Sequence, residues 1–238
     1  MKSRLAIALF ALLACSFIAQ ATPVVPKDFK AVYKAKYRGI SVTATRTLET
    51  LEDGSKLYTF FADSWLAELK ETSRFRWSED ERIVPIQYSY ARTGLGRNRE
   101  AVLDFDWETG KVTNNVQRKP WQMDIPERVL DKLSYHLQIR TDLINEKPLL
   151  RYEIADGGRL KSYDFEILGE EEVNTDAGRF MAVKVRRVRE EDEERQTIFW
   201  LAKDWDYLVV RLQQEDDGSN YEIDLNEATV NGKEVKGY

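Results

Sequence analysis

The 238-residue chain carries 36 Lys and Arg against 41 Asp and Glu, one His and one Cys, and 42% of its residues are hydrophobic. A formal charge of −5 argues against the basic excess of a nucleic-acid binder, and an aromatic content of 11% excludes a disordered chain. A single His and a single Cys leave almost no room for His/Cys metal centres or for Cys–His and Ser–His catalysis, so no metal and no cofactor is expected.

Residues 1–21 read as a signal peptide. Lys2 and Arg4 form a basic start, residues 5–18 an apolar run, and Ala19-Gln20-Ala21 a small-x-small cleavage site. The run is short for a transmembrane anchor, and no second one follows. Leu12-Leu13-Ala14-Cys15 resembles a lipoprotein cleavage box, but the apolar run continues through Phe17-Ile18 and a clean Ala-x-Ala follows, which favours cleavage after Ala21. The mature chain, 22–238, then has no cysteine, 34 basic against 41 acidic residues and a net charge of −7. It is expected in an exported compartment as one β-rich domain held by core packing, without disulfides.

After a Pro-containing lead-in, period-two alternation dominates, the mark of half-buried antiparallel strands. Phe29, Ala31, Tyr33, Ala35 and Tyr37 share one face, and beyond Gly39 so do Ile40, Val42 and Ala44. Asp53-Gly54 is a hairpin turn into residues 57–61. Further strands are expected over 65–77, 83–91, 101–107 and 111–118, with Gly94/Gly96 and Thr109-Gly110 as breaks; no strand is expected over 119–124, which is too short for a linker between domains.

One helix is expected at mid-chain. Asp124 is its candidate N-cap, Pro126 and Glu127 suit the first turn, and Leu130, Leu133, Leu137 and Ile144 make a stripe at helical spacing. Pro148 ends it. Strands resume over 149–154, the Asp156-Gly157-Gly158 turn, 163–167, 180–189, 196–202, 207–214 and 221–230, with Asp217-Gly218 as a tight turn and 190–194 as an acidic loop. The fold class expected is mainly β: about ten antiparallel strands curled into a barrel-like sheet, with the helix plugging a mouth or lying across the concave face.

The second half carries Asp156-Gly157, Lys161-x-Tyr163-x-Phe165, Thr175-x-x-Gly178-x-Phe180, Lys184-Val185-x-Arg187 and Trp200-Leu201-Ala202-x-Asp204, and the first half opens with Tyr33-x-x-x-Tyr37-x-Gly39-Ile40. This series resembles the bacterial exported family known as domain of unknown function 3108, over about residues 29–226. The resemblance implies a Gram-negative periplasmic protein of antiparallel β architecture with no established activity and no catalytic residues to carry over.

No Walker loop, dinucleotide fingerprint, nucleophile elbow or HExxH motif occurs. The aromatics stand out instead: a curled sheet rich in Tyr and Trp can keep a concave apolar face for a ligand. Trp65, Trp77, Tyr88, Tyr90, Trp107, Trp121 and Trp200, with the lone His136, are the candidate ligand-binding residues. The leading expectation is a non-enzymatic protein that binds a lipid or an extended chain in envelope biogenesis or secretion. Two rivals stand beside it: an interaction module for envelope proteins using exposed sheet edges, and a glycan hydrolase using Asp104, Asp106 or Glu222.

Overall fold

A computed structural model of the chain describes residues 24–37, 40–94, 96, 98–188, 196–216 and 219–238. The leader with Cys15, the Gly39 turn, the acidic run at 190–194 and the Asp217-Gly218 turn lie outside the described residues. The alternation is realised as a single curled sheet of sixteen strands rather than about ten. Eight of them form an up-and-down meander in chain order: β1 (Phe29–Tyr37), β2 (Ile40–Thr50), β3 (Lys56–Asp63), β4 (Ala67–Trp77), β5 (Ile83–Gly94), β6 (Arg99–Asp106), β7 (Lys111–Val116) and β8 (Lys119–Asp124). A second meander comprises β10 (Leu150–Asp156), β11 (Arg159–Thr175), β12 (Gly178–Arg187), β13 (Gln196–Ala202), β14 (Leu208–Asp216) and β15 (Ser219–Val230), and β1 pairs with β15 to fuse the two. Two-residue strands complete the sheet: β9 (Leu130–Asp131), parallel to β10, and β16 (Lys233–Glu234), on β15.

The surplus strands have local causes. Residues 119–124 are also a strand, because Gln117 (φ 52°) and Arg118 (φ 62°) both adopt the left-handed conformation of a tight hairpin turn without the Gly or Asn that usually marks one. β9 and β16 are too short to show a period. β11 extends far beyond 163–167 because a register shift between Ile167 and Gly169, with Gly169 at φ 128°, bends it. Its far half lies over the outer face of β13–β15, where Asn174 O accepts from Arg211 at 3.2 Å and Asp176 pairs with Lys34 at 3.1 Å.

The helix, α1 (Ser134–Ile144), is shorter than the stripe suggested. Asp124 does not cap it and Pro126 does not open it; that stretch is β8, a turn and β9. Leu133 holds the N-cap position without a side-chain bond, and the Asp131 carboxylate does the capping, accepting from the N–H groups of Leu133 and Ser134 at 2.8 Å each. Eight of the eleven helical residues are buried, including Gln138, Arg140 and Thr141, so α1 is a core element covered on most sides, not an amphipathic surface helix. It ends before Pro148 as expected, with the Asn145 side chain donating to Thr141 O at 2.9 Å.

The curl brings the two ends of the sheet together. Ser73 Oγ of β4 donates to Asp131 Oδ2 of β9 at 2.6 Å, and the Gln138 side chain accepts from Ile83 N at 2.8 Å. On β8, Trp121 lies against the β10–β11 turn: a Cβ placed on Gly158 would fall 1.6 Å from its ring. Only glycine permits that seam, and Gly158 sits at φ 92° as well.

Candidate ligand site on the open half of the concave face

Paired residues on neighbouring antiparallel strands share a face, so the register gives the inner surface row by row. One row runs Phe29, Leu48, Tyr58, Ser73, Tyr88, Leu103 and Asn114, and all seven are buried. This half is filled by α1, where Leu137 and Ile139 pack in the core. The next inward row, two residues along each strand, runs Ala31, Arg46, Phe60, Glu71, Tyr90, Ala101 and Val116. From Phe60 to Val116 these side chains are half-buried, less sealed than the row before. The row beyond it adds half-buried Ala62 and Leu69. The same face of the same strands is therefore dry at one end and open at the other.

Arg46 lies at the boundary. It is 5% exposed, inside an otherwise apolar phase, and pairs with no described carboxylate. Nη1 donates to Tyr58 Oη at 3.2 Å, and the guanidinium stands 5.3 Å from the Phe60 ring centre and 5.9 Å from that of Tyr33. Burial opposes the Arg46 charge, but the Tyr58 and Tyr33 hydroxyls favour it and its proton affinity is raised on balance, with the Glu71 carboxyl in electrostatic reach two strands away. Arg140 of α1 repeats the pattern: it stacks 4.5 Å from the Phe29 ring centre, donates from Nε to Asp206 O at 3.1 Å, and leaves one terminal nitrogen unbonded. Burial pushes it down to about 10.

Two acids share this interior. Glu71 accepts from Tyr88 Oη at 2.6 Å, and burial raises its carboxyl. Asp131 is fully buried and raised for the same cause. His136 packs edge-on against Tyr135 and Phe199, at 4.2 and 5.1 Å between ring centres, with Nδ1 sealed and unbonded. Burial, and then the Arg46 charge, hold it well below the usual imidazole range, so it is neutral. A concavity with a half-buried apolar wall and a desolvated guanidinium beside it can take an apolar body that carries an anion.

Of the aromatic candidates, Tyr90 stands in the open row, with Tyr88 one row deeper and His136 on the helix beside Phe199. The others are dispersed. Trp65 is 81% exposed at the β3–β4 turn, Trp77 packs edge-on against Phe75, and Trp107 donates to Pro85 O at 2.7 Å. Trp121 closes the seam. Trp200 and Phe199 are both buried on opposite faces of β13, and Trp200 Nε1 donates to Glu171 under the folded-over part of β11. Of the acids offered for hydrolysis, Asp104 and Asp106 share one exposed face of β6, and Glu222 stands apart from them. Asp104 accepts from Gln87 at 2.7 Å, Asp106 caps its turn through Glu108 N and Thr109 N, and Glu222 lies on distant β15 beside Asp224, both against Arg211 Nε at 3.3 and 2.6 Å. Among the described residues no cluster of three or more His, Cys, Asp or Glu is arranged for a metal.

A family profile described as "Protein of unknown function (DUF3108)" matches residues 32–226. The chain belongs to that family. Its motif residues are structural here: Thr175 Oγ1 closes the β11–β12 turn on Gly178 O and Ala177 N, both at 3.2 Å, and a Cβ on Gly178 would strike Gly237 Cα at 2.8 Å, so the motif seats the C-terminal tail. A search of curated proteins gives no match. Among solved structures, a beta-barrel-like protein of domain of unknown function DUF1849 from Brucella abortus is similar, with a TM-score of 0.57 and 8% identity over 87% of this chain and 99% of that one. MucB in complex with MucA(peri) is matched at a TM-score of 0.35 and 11% identity, over 86% of this chain and 50% of that one. The Pseudomonas aeruginosa MucA/MucB complex gives 0.35 and 11%, over 88% of this chain. The chain thus spans about half of the MucB structures. Among the described residues no helix is long and apolar enough to cross a membrane.

Proposed function

We propose that this protein is an exported, non-enzymatic binding protein that holds an apolar ligand bearing one anionic group in the open half of its concave face. The observation that carries the reading is Arg46, a guanidinium 5% exposed and without an ion pair among the described residues, beside half-buried Phe60, Ala62, Leu69 and Tyr90. Ligand pockets combine a mostly apolar wall with a few placed polar groups, and this face has both. An anion at Arg46 offsets the cost of burying the charge, while the apolar body covers the wall. The leader read from residues 1–21 supports export to the periplasm, where such a protein serves envelope biogenesis or secretion.

The test is titration of the purified mature chain with an environment-sensitive anionic naphthalene dye, then displacement by a long-chain fatty acid and by the matching alcohol. Saturable enhancement is expected, with the acid displacing dye at least tenfold better than the alcohol. Protein that leaves the dye unperturbed, or that treats acid and alcohol alike, contradicts the proposal.

A further inference from the structure

The two free ends of the sheet are treated differently. At one end β8 is short and carries Lys119 and Pro120, features that discourage pairing. At the other end β10 is covered on its outer side only by β9, and only at Ile154 and Ala155. The chain leading to β9 turns away through Pro126, whose carbonyl accepts from Val129 N at 3.3 Å. Residues 150–153 therefore pair with β11 on one side, and among the described residues no strand is in register with them on the other.

A cleft of about 450 Å³ lies along this edge. Leu149, Arg151 and Tyr152 line it from β10 and its lead-in, Arg128 and Leu130 from the β9 side, and Lys147 from beyond α1. Leu149 is 65% exposed. Arg82, Arg128, Lys147 and Arg151 stand in the lining with Asp80 and Asp142, and three of these four cations have a carboxylate partner, which leaves Arg128. Arg82 is held by Asp80 at 2.6 Å and Arg151 by Asp164 at 2.5 Å, while Lys147 reaches Glu81 at 3.8 Å. Arg128 is exposed and has no ion pair among the described residues. Asp142 is spoken for by Tyr152 Oη at 2.8 Å and Gln138 Nε2 at 3.0 Å.

From these features we infer that the free edge of β10 accepts a strand from a partner protein, an extended segment in which acidic and apolar side chains alternate. Main-chain bonds to residues 150–153 supply the pairing, the acidic face meets Arg128 and its neighbours, and the apolar face covers Leu149. This site is separate from the concave face, and its occupancy does not depend on a ligand there.

The test uses the full mature chain and three synthetic octapeptides: alternating Glu and Val, alternating Lys and Val, and the Glu/Val sequence with alternate backbone nitrogens methylated. The Glu/Val peptide is expected to bind saturably and slow exchange at least tenfold at the outward-facing amides of residues 150–153, those not bonded to β11. Methylation should weaken binding tenfold or more, as should the Lys/Val exchange. Arg128→Glu, an exposed position whose replacement leaves the core intact, should weaken the Glu/Val peptide about fivefold. Absence of binding, indifference to methylation, or equal binding of the Lys/Val peptide overturns the inference. So does protection of the same amides by self-association without peptide, which would make a second copy of this chain the occupant.

Discussion

The row through Tyr58, Ser73 and Tyr88 and the row through Phe60, Glu71 and Tyr90 lie on the same strands and face, about 7 Å apart along the chain direction. One is sealed and the other half-buried. The second row carries two charges, Arg46 and Glu71, and α1, capped by Asp131 and pinned to Ser73 and Ile83, fills the other end of the curl. A curled sheet thus divides into scaffold and site according to how far a single helix reaches.

Substitutions at three positions probe that division. Phe75→Ala, at a position with 0% exposure in the dry half, should cost about 3–5 kcal/mol in urea unfolding. Phe60→Ala, half-buried, should cost only about 1 kcal/mol, since much of its surface is already wet. Equal costs would erase the distinction. Asp131→Ala removes the bond to Ser73 and both capping bonds to α1, and should cost about 2–4 kcal/mol, with faster amide exchange at the start of the helix. Asp131→Asn keeps one acceptor oxygen and should recover part of the loss.

A pH slope probes the filled half in another way. His136 is neutral in the fold because burial depresses its proton affinity, whereas in the unfolded chain it takes a proton below about 6.5. The unfolded state then binds more protons, so the stability associated with a neutral His136 is present above that value and is lost as pH falls below it. One group contributes at most about 1.4 kcal/mol per pH unit. Glu71 and Asp131, raised by burial, act in the opposite sense in their own range, so the informative quantity is the difference from His136→Phe. Between pH 7 and pH 5 the urea midpoint of wild type should fall relative to that of His136→Phe; parallel behaviour would show that His136 is accessible to protons in the fold.

Much of the fold was legible in period-two alternation, since strand position depends on a local pattern that the chain states directly. The helix boundary was not, because its cap comes from Asp131 in a two-residue strand whose existence depends on distant β10. Strand number was underestimated where turns lack Gly or Asn, as at Gln117-Arg118. The site was partly legible: Tyr90 follows from aromatic crowding, but Arg46 and Glu71 were passed over although the signal was there. Arg46 falls in phase between Ala44 and Leu48, and Glu71 between Leu69 and Ser73, so each is a charge on the core-facing side of a strand. The free edge of β10 left no such trace, because edges are set by which strands fail to meet.

The central claim turns on which face of β3 a ligand meets. Phe60 and Phe61 are adjacent, and the register sends them to opposite faces, Phe60 opposite Arg46 and Phe61 opposite Thr45. Titrating the anionic dye into wild type, Phe60→Asp and Phe61→Asp, each checked for a wild-type far-UV spectrum, separates them. The concave site predicts at least tenfold weaker binding for Phe60→Asp and wild-type affinity for Phe61→Asp. Equal loss in both, or loss only in Phe61→Asp, would contradict it.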